Sequence, residues 1–265
     1  MTAGGIEPII GWAADVPFTA LPPSAGRKAP VPLIVTWHMM DPPRSDEGFA
    51  ALLPLAGVPA WRIHLGMPFV GRRPVEGAFE AAQADPLLRY VDPLVQQATA
   101  EFREVLDELR ARFGIAPGPI ALVGASLGGN VVLNVLATAP QPVSAVVLVN
   151  PAIRAAMAVD VVAAGAGGPY PWTAETRAIA DRLDFVSHAG AIAARDPQPA
   201  LLVISGALDF PASRGDATAL VDALRERYAA PERVQLTTID GLGHSLLEAG
   251  PTVDAIATSW LTTHS

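Results

Sequence analysis

Leu122-Val123-Gly124-Ala125-Ser126-Leu127-Gly128-Gly129 joins an unbroken apolar run, residues 120–123, to a helical pattern over 127–138. Its centre reads Gly-x-Ser-x-Gly. At a strand-to-helix junction this spacing makes a sharp turn on which the serine protrudes in strained backbone geometry. The flanking glycines let the strand and helix approach where a Cβ would collide. The helix that follows presents free N–H groups, beginning with Leu127, to negative charge developing on an attacked carbonyl. With 23 glycines and 10 serines in 265 residues, composition alone would yield about 0.08 such windows, before any demand for a strand on one side and a helix on the other.

Working outward, the same rhythm repeats. Residues 31–37, 61–65, 143–149, 201–204 and 234–239 are short apolar runs. Helical patterns lie between them over 45–57 (stopped at Pro54), 98–113 (stopped by Gly114) and 212–228, with a last helix after Pro251. Strands apolar on both faces, alternating with helices, predict an open, mostly parallel, doubly wound α/β sheet in a single domain spanning residues 1–265. Residues 1–30, rich in proline and glycine, read as an irregular N-terminal segment with weak strand candidates near Pro8-Ile9-Ile10 and Val16-Pro17-Phe18-Thr19 that could make a short antiparallel edge. Residues 151–199 interrupt the rhythm: about fifty residues exceed a one-helix crossover, so a short cap or lid over the site is expected. Within it, residues 165–172 read as flexible and 174–194 as helical.

A serine hydroxyl needs a base, and the base needs an orienting group. Of five histidines, His264 lies in the tail, His188 in the insertion, and His64 in a strand where a packed, hydrogen-bonded ring is expected. His244, in Asp240-Gly241-Leu242-Gly243-His244-Ser245 between the last strand and last helix, is the expected base. The acid expected to hold its Nδ1–H is Asp209, in Ser205-Gly206-Ala207-Leu208-Asp209 after the strand beyond the insertion; Asp184 and Asp240 compete for that place. Ser126, Asp209 and His244 follow the chain order nucleophile, acid, base.

Composition narrows the rest. The chain is 51% hydrophobic and 17% charged, which fits a large core. A net charge of −8 argues against a nucleic-acid partner. No apolar run approaches the roughly 20 residues of a membrane span, and the first residues do not read as a signal peptide. Absence of cysteine excludes thiolate chemistry and disulfides and fits a cytoplasmic protein. No phosphate loop and no metal-ligand cluster at zinc spacing is visible, so neither a cofactor nor a metal is expected. Oligomeric state is not legible.

These motifs (residues 124–128, 205–209 and Gly243-His244) resemble the α/β-hydrolase family over residues 30–265, and the run from Ile63 to Arg73 resembles the strand-end loop of small carboxylesterase and dienelactone-hydrolase-like members. The resemblance implies acyl transfer through an acyl-serine, and the substrate expected is a small or medium apolar ester or thioester. Transfer of the acyl group to an alcohol, amine or peroxide is the neighbouring reading, and an inactive binding protein on the same fold is a third. One departure stands out. Where many members carry His-Gly after the first core strand, this chain has His38-Met39-Met40, so the second oxyanion donor is expected from the backbone of Met39 or Met40. Trp37, His38, Met39, Met40, Met67, Phe69, Tyr170 and Trp172 fall in segments expected to border an apolar mouth, whereas Arg72-Arg73 reads as a solvated pair.

Overall fold

Strands β3 (Leu33–Trp37), β5 (Ile120–Ala125) and β7 (Ala200–Gly206) are buried along their whole length. That requires cover on both faces of the sheet. The computed structural model describes residues 7–23, 31–115 and 117–265. It supplies the cover with helices on two sides of one eight-stranded sheet. The remaining strands are β1 (Ile9–Ala13), β2 (Val16–Leu21), β4 (Trp61–Leu65), β6 (Val143–Val149) and β8 (Val234–Ile239), in the order β1-β2-β4-β3-β5-β6-β7-β8. From β4 to β8 every neighbouring pair is parallel; β2 pairs antiparallel with β1 and β4.

Side chains alternate along each strand, so two separate cores form. Trp37, Leu122, Leu148 and Val203 face α3 (Asp92–Phe113), α4 (Leu127–Thr138), α7 (Ala189–Ala193) and α8 (Pro211–Arg225). Ile34, Val123, Val147 and Ile204 face α1 (Asp46–Leu52) and α9 (Gly250–His264). Each large apolar side chain so buried contributes about 1.5–3 kcal/mol. Helix α3 turns Leu94, Val95, Ala98, Phe102, Val105, Leu106 and Leu109 inward and stops at Gly114, whose φ of 62° suits glycine.

One sequence expectation sharpens and another changes. The weak N-terminal candidates form the antiparallel edge in full, a β-hairpin over residues 9–21 whose tip residues, Ala14 and Asp15, have φ of 43° and 61°. Glu108 of α3 accepts the Ala14 N–H at 2.7 Å, and this long-range bond replaces the Asn-Gly signal that would mark such a turn in sequence. Residues 1–6 and 24–30 of that segment lie outside the described residues. The insertion holds α5 (Ala155–Gly165), α6 (Ala174–Asp181) and α7; α5 is alanine-rich and fell where no helix was expected. A bridge between Arg154 and Asp184 joins the two ends of the α5–α6 excursion. Helix α5 packs on α2 (Ala78–Ala84) and on the π-helical turn Leu87–Val91. Among the described residues no helix is long and apolar enough to cross a membrane.

Candidate active site

Strand β5 ends at Ala125, α4 begins at Leu127, and Ser126 between them sits at φ 51°, ψ −120°. A left-handed φ is costly for a residue with a Cβ and persists only when its surroundings enforce it. Here the Ser126 N–H donates to Val149 O at 3.0 Å, and its carbonyl accepts from Gly129 N and Ala152 N, each at 2.9 Å. The glycines are needed for contact. A Cβ on Gly124 would drive into the Gly128 carbonyl, and one on Gly128 into the carbonyls of Trp37 and His38. Close approach at Gly128 sets the backbone after β3 directly against the start of α4. Ser126 keeps 8% of its surface exposed.

The Ser126 Oγ lies 2.9 Å from His244 Nε2, and His244 Nδ1 lies 2.8 Å from Asp209 Oδ1. Asp209 is buried at the end of β7. Its Oδ1 also accepts from Phe210 N at 2.7 Å, and its Oδ2 from Ser213 Oγ at 2.9 Å. These donors engage both carboxylate oxygens, and a carboxylate facing Nδ1 fixes the proton there in the neutral ring. Nε2 then offers its lone pair to the serine hydroxyl. The competing acids are elsewhere: Asp184 pairs with Arg154 and accepts the N–H groups of Val186 and Ser187, and Asp240 is no imidazole partner among the described residues.

Two contributors were missed in sequence. Asn150, buried at the end of β6 with φ 42°, donates from Nδ2 to Gly243 O at 2.8 Å and His244 O at 3.2 Å, and its Oδ1 accepts Gly206 N–H at 2.7 Å. It thus ties the base loop to the strand carrying the acid; a polar residue closing an apolar strand was its one visible signal. Asp41, on the loop after Met40, puts Oδ2 3.8 Å from His244 Nε2 and leaves 54% of its side chain exposed.

The expected substrate wall fares differently. His38 is fully buried: Nε2 accepts the Met67 N–H at 3.1 Å, so Nδ1 carries the proton and donates to Met39 O at 2.7 Å. Burial holds its pKa below the ordinary value, against the pull of the Met39 carbonyl and of Asp46. It staples the loops after β3 and β4 together and is not a substrate-contacting residue. Trp37 is likewise core, packed edge-on against Phe102 at 5.1 Å, and Met67 is buried in the same cluster. The Met39 side chain enters the opposite core beside Phe49, so it cannot line an acyl pocket. Met40 and Phe69 are half-buried; Phe69 packs near Tyr90. Tyr170 donates to Asp85 at 2.8 Å and meets Trp172 edge-on; both line a surface hollow that includes none of the triad. Arg72 and Arg73 are not a solvated pair, since they bind Asp46 and Glu101 at 2.5 Å. His64, in the sheet as expected, bonds Thr36 Oγ1 at 2.8 Å, and burial beside Arg62 and His38 lowers its pKa to about 3.

A family model described as the alpha/beta hydrolase fold matches residues 82–199. No curated protein sequence matches the chain. Among solved structures, TT1662 from Thermus thermophilus is similar at a TM-score of 0.68 and 22% identity, covering 98% of each chain. A thermophilic esterase from the Planctomycetes species Thermogutta terrifontis, with propionate bound, gives 0.66 at 17% identity over 99% of this chain and 96% of its own. A hyperthermophilic esterase from Pyrobaculum calidifontis gives 0.65 at 15% identity, over 98% and 86%.

Proposed function

We propose that this chain, which has the α/β-hydrolase fold, is a serine hydrolase cleaving small or medium carboxylic esters or thioesters with an apolar acyl part. The single observation that carries this reading is the unbroken hydroxyl–imidazole–carboxylate line from Ser126 through His244 to Asp209. The Ser126 Oγ bonds to the substrate carbonyl carbon while its proton passes to His244 Nε2. The imidazolium so formed is stabilised by Asp209, which stays ionised. As the tetrahedral adduct collapses, the bond to the leaving alcohol or thiol breaks and that group takes the Nε2 proton. Water, deprotonated by the same nitrogen, then attacks the acyl-serine and releases the acid.

Negative charge on the carbonyl oxygen calls for two N–H donors. Leu127 N–H, at the first position of α4, is one. For the other, the Met39–Met40 peptide is the better candidate. Its carbonyl is held by His38, so in a trans peptide the Met40 N–H points the opposite way. Among the described residues neither N–H has a protein acceptor. The methionine side chain at position 39, where the pattern of the family it resembles has glycine, does not obstruct this arrangement, because it descends into the core.

A fluorophosphonate probe should label the wild-type protein at Ser126, and Ser126→Ala should lose labelling together with at least about 10³-fold of its p-nitrophenyl butyrate hydrolysis. Hydrolysis surviving intact in that variant would end the reading.

A further inference from the structure

Whatever group leaves must approach His244 Nε2, because that atom hands it a proton. The atom is not flanked by neutral surface. Asp41 Oδ2 lies 3.8 Å from it, on the side open to solvent, and among the described residues no other basic group stands within ion-pair distance of this carboxylate. Arg44, three residues on, makes no such pair. Phe210, 40% exposed, lays its ring against the same imidazole at 5.1 Å between centroids. A carboxylate beside Nε2 and an aromatic ring against the imidazole therefore both neighbour the proposed base.

We propose that the surface beside His244 Nε2, with Asp41 as its anion and Phe210 close by, is a subsite for a positively charged leaving group, so that the preferred substrates are esters or thioesters of amino or quaternary-ammonium alcohols and thiols. This rests on the serine-hydrolase reading and refines it: the acyl part stays apolar, and the alcohol part carries the cation. A neutral leaving group would cover the Asp41 carboxylate without supplying a partner, and desolvating an unpaired charge is unfavourable. An ammonium group replaces that lost hydration with Coulomb attraction and can also rest on the Phe210 ring. An anionic leaving group is repelled by the same carboxylate.

The test compares butyrylthiocholine with its neutral carbon isostere, 3,3-dimethylbutyl thiobutyrate, as a ratio of kcat/KM within each protein. In the wild type at low salt the ratio should favour the cation about tenfold, equivalent to about 1.4 kcal/mol, and should shrink as ionic strength rises. Asp41→Asn should bring it close to one, and Phe210→Leu should reduce it about two- to threefold. A wild-type ratio near one, or the same preference in Asp41→Asn, overturns the subsite. A parallel measurement needs no turnover: phenyltrimethylammonium is titrated against wild type and Asp41→Asn while the His244 ring resonances are followed. Asp41-dependent binding without hydrolysis of either thioester would uphold the subsite and overturn the hydrolase reading; hydrolysis of both without Asp41-dependent discrimination would do the reverse.

Discussion

The loops after β3 and β8 each place a histidine at the carboxyl rim of the sheet, and they treat it in opposite ways. His244 keeps 17% of its side chain exposed, and its two nitrogens meet a carboxylate and a hydroxyl. His38 is sealed, and its nitrogens meet a backbone carbonyl and a backbone N–H. The first ring has a carboxylate partner at Nδ1 and an edge open to incoming molecules. The second has neither, and burial keeps it neutral. A rim position therefore does not make a histidine a proton carrier. An ionised partner and an open edge do.

The contrast can be broken most sharply at the working ring. His244→Gln should cut ester hydrolysis by about 10³-fold or more while moving Tm little, measured by steady-state kinetics beside calorimetry. A variant retaining most of its activity would remove the distinction drawn between the two rings. Next in size is the tether. Asn150→Ala frees the carbonyls of Gly243 and His244 and the Gly206 N–H, and a base misplaced by about 1 Å costs on the order of 10²-fold. We expect kcat to fall by between about 10- and 100-fold with KM nearly unchanged, and an unaltered kcat would show that the loop holds itself. The smallest effect lies at the buried rings. His38 and His64 both titrate below the ordinary 6.5 in the folded chain, His64 at about 3. The unfolded chain therefore binds protons that the folded one refuses, so stability is full above about 6.5 and falls as pH drops below it, for His64 down to about 3. Melting scans from pH 7 to 4 should show Tm declining. His38→Leu should flatten that slope and lower stability at pH 7 by about 1–3 kcal/mol, by stranding the Met67 N–H and the Met39 carbonyl. A steeper slope in the variant would contradict the neutral staple.

The legible parts of the molecule were those written locally. The Gly124–Gly128 spacing encodes the turn at Ser126 within five residues, and His244 and Asp209 each follow a strand that apolar content reveals. Asn150 and Asp41 act on a loop 94 and about 200 residues away in sequence, so no local pattern reveals what they touch. Several residues of the expected wall turn into the core for a related reason. Segment order identified the strand ends but not which way each side chain turns: Trp37 packs into one core and Met39 into the other. The N-terminal hairpin was only weakly marked, because its tip Ala14-Asp15 lacks the usual turn residues and is held by Glu108 far along the chain.

The contact at Gly128 has a consequence for how such a site can change over time. Because the start of α4 abuts main-chain carbonyls of Trp37 and His38, the two segments are geared through atoms that every amino acid possesses. Drift in the identity of the half-buried residue 40 can then alter the surface beside Ser126 while the main-chain contact keeps its dimensions. Diversification of diet is thereby uncoupled from preservation of the turn, and the positions denied that freedom are the glycines at 124 and 128.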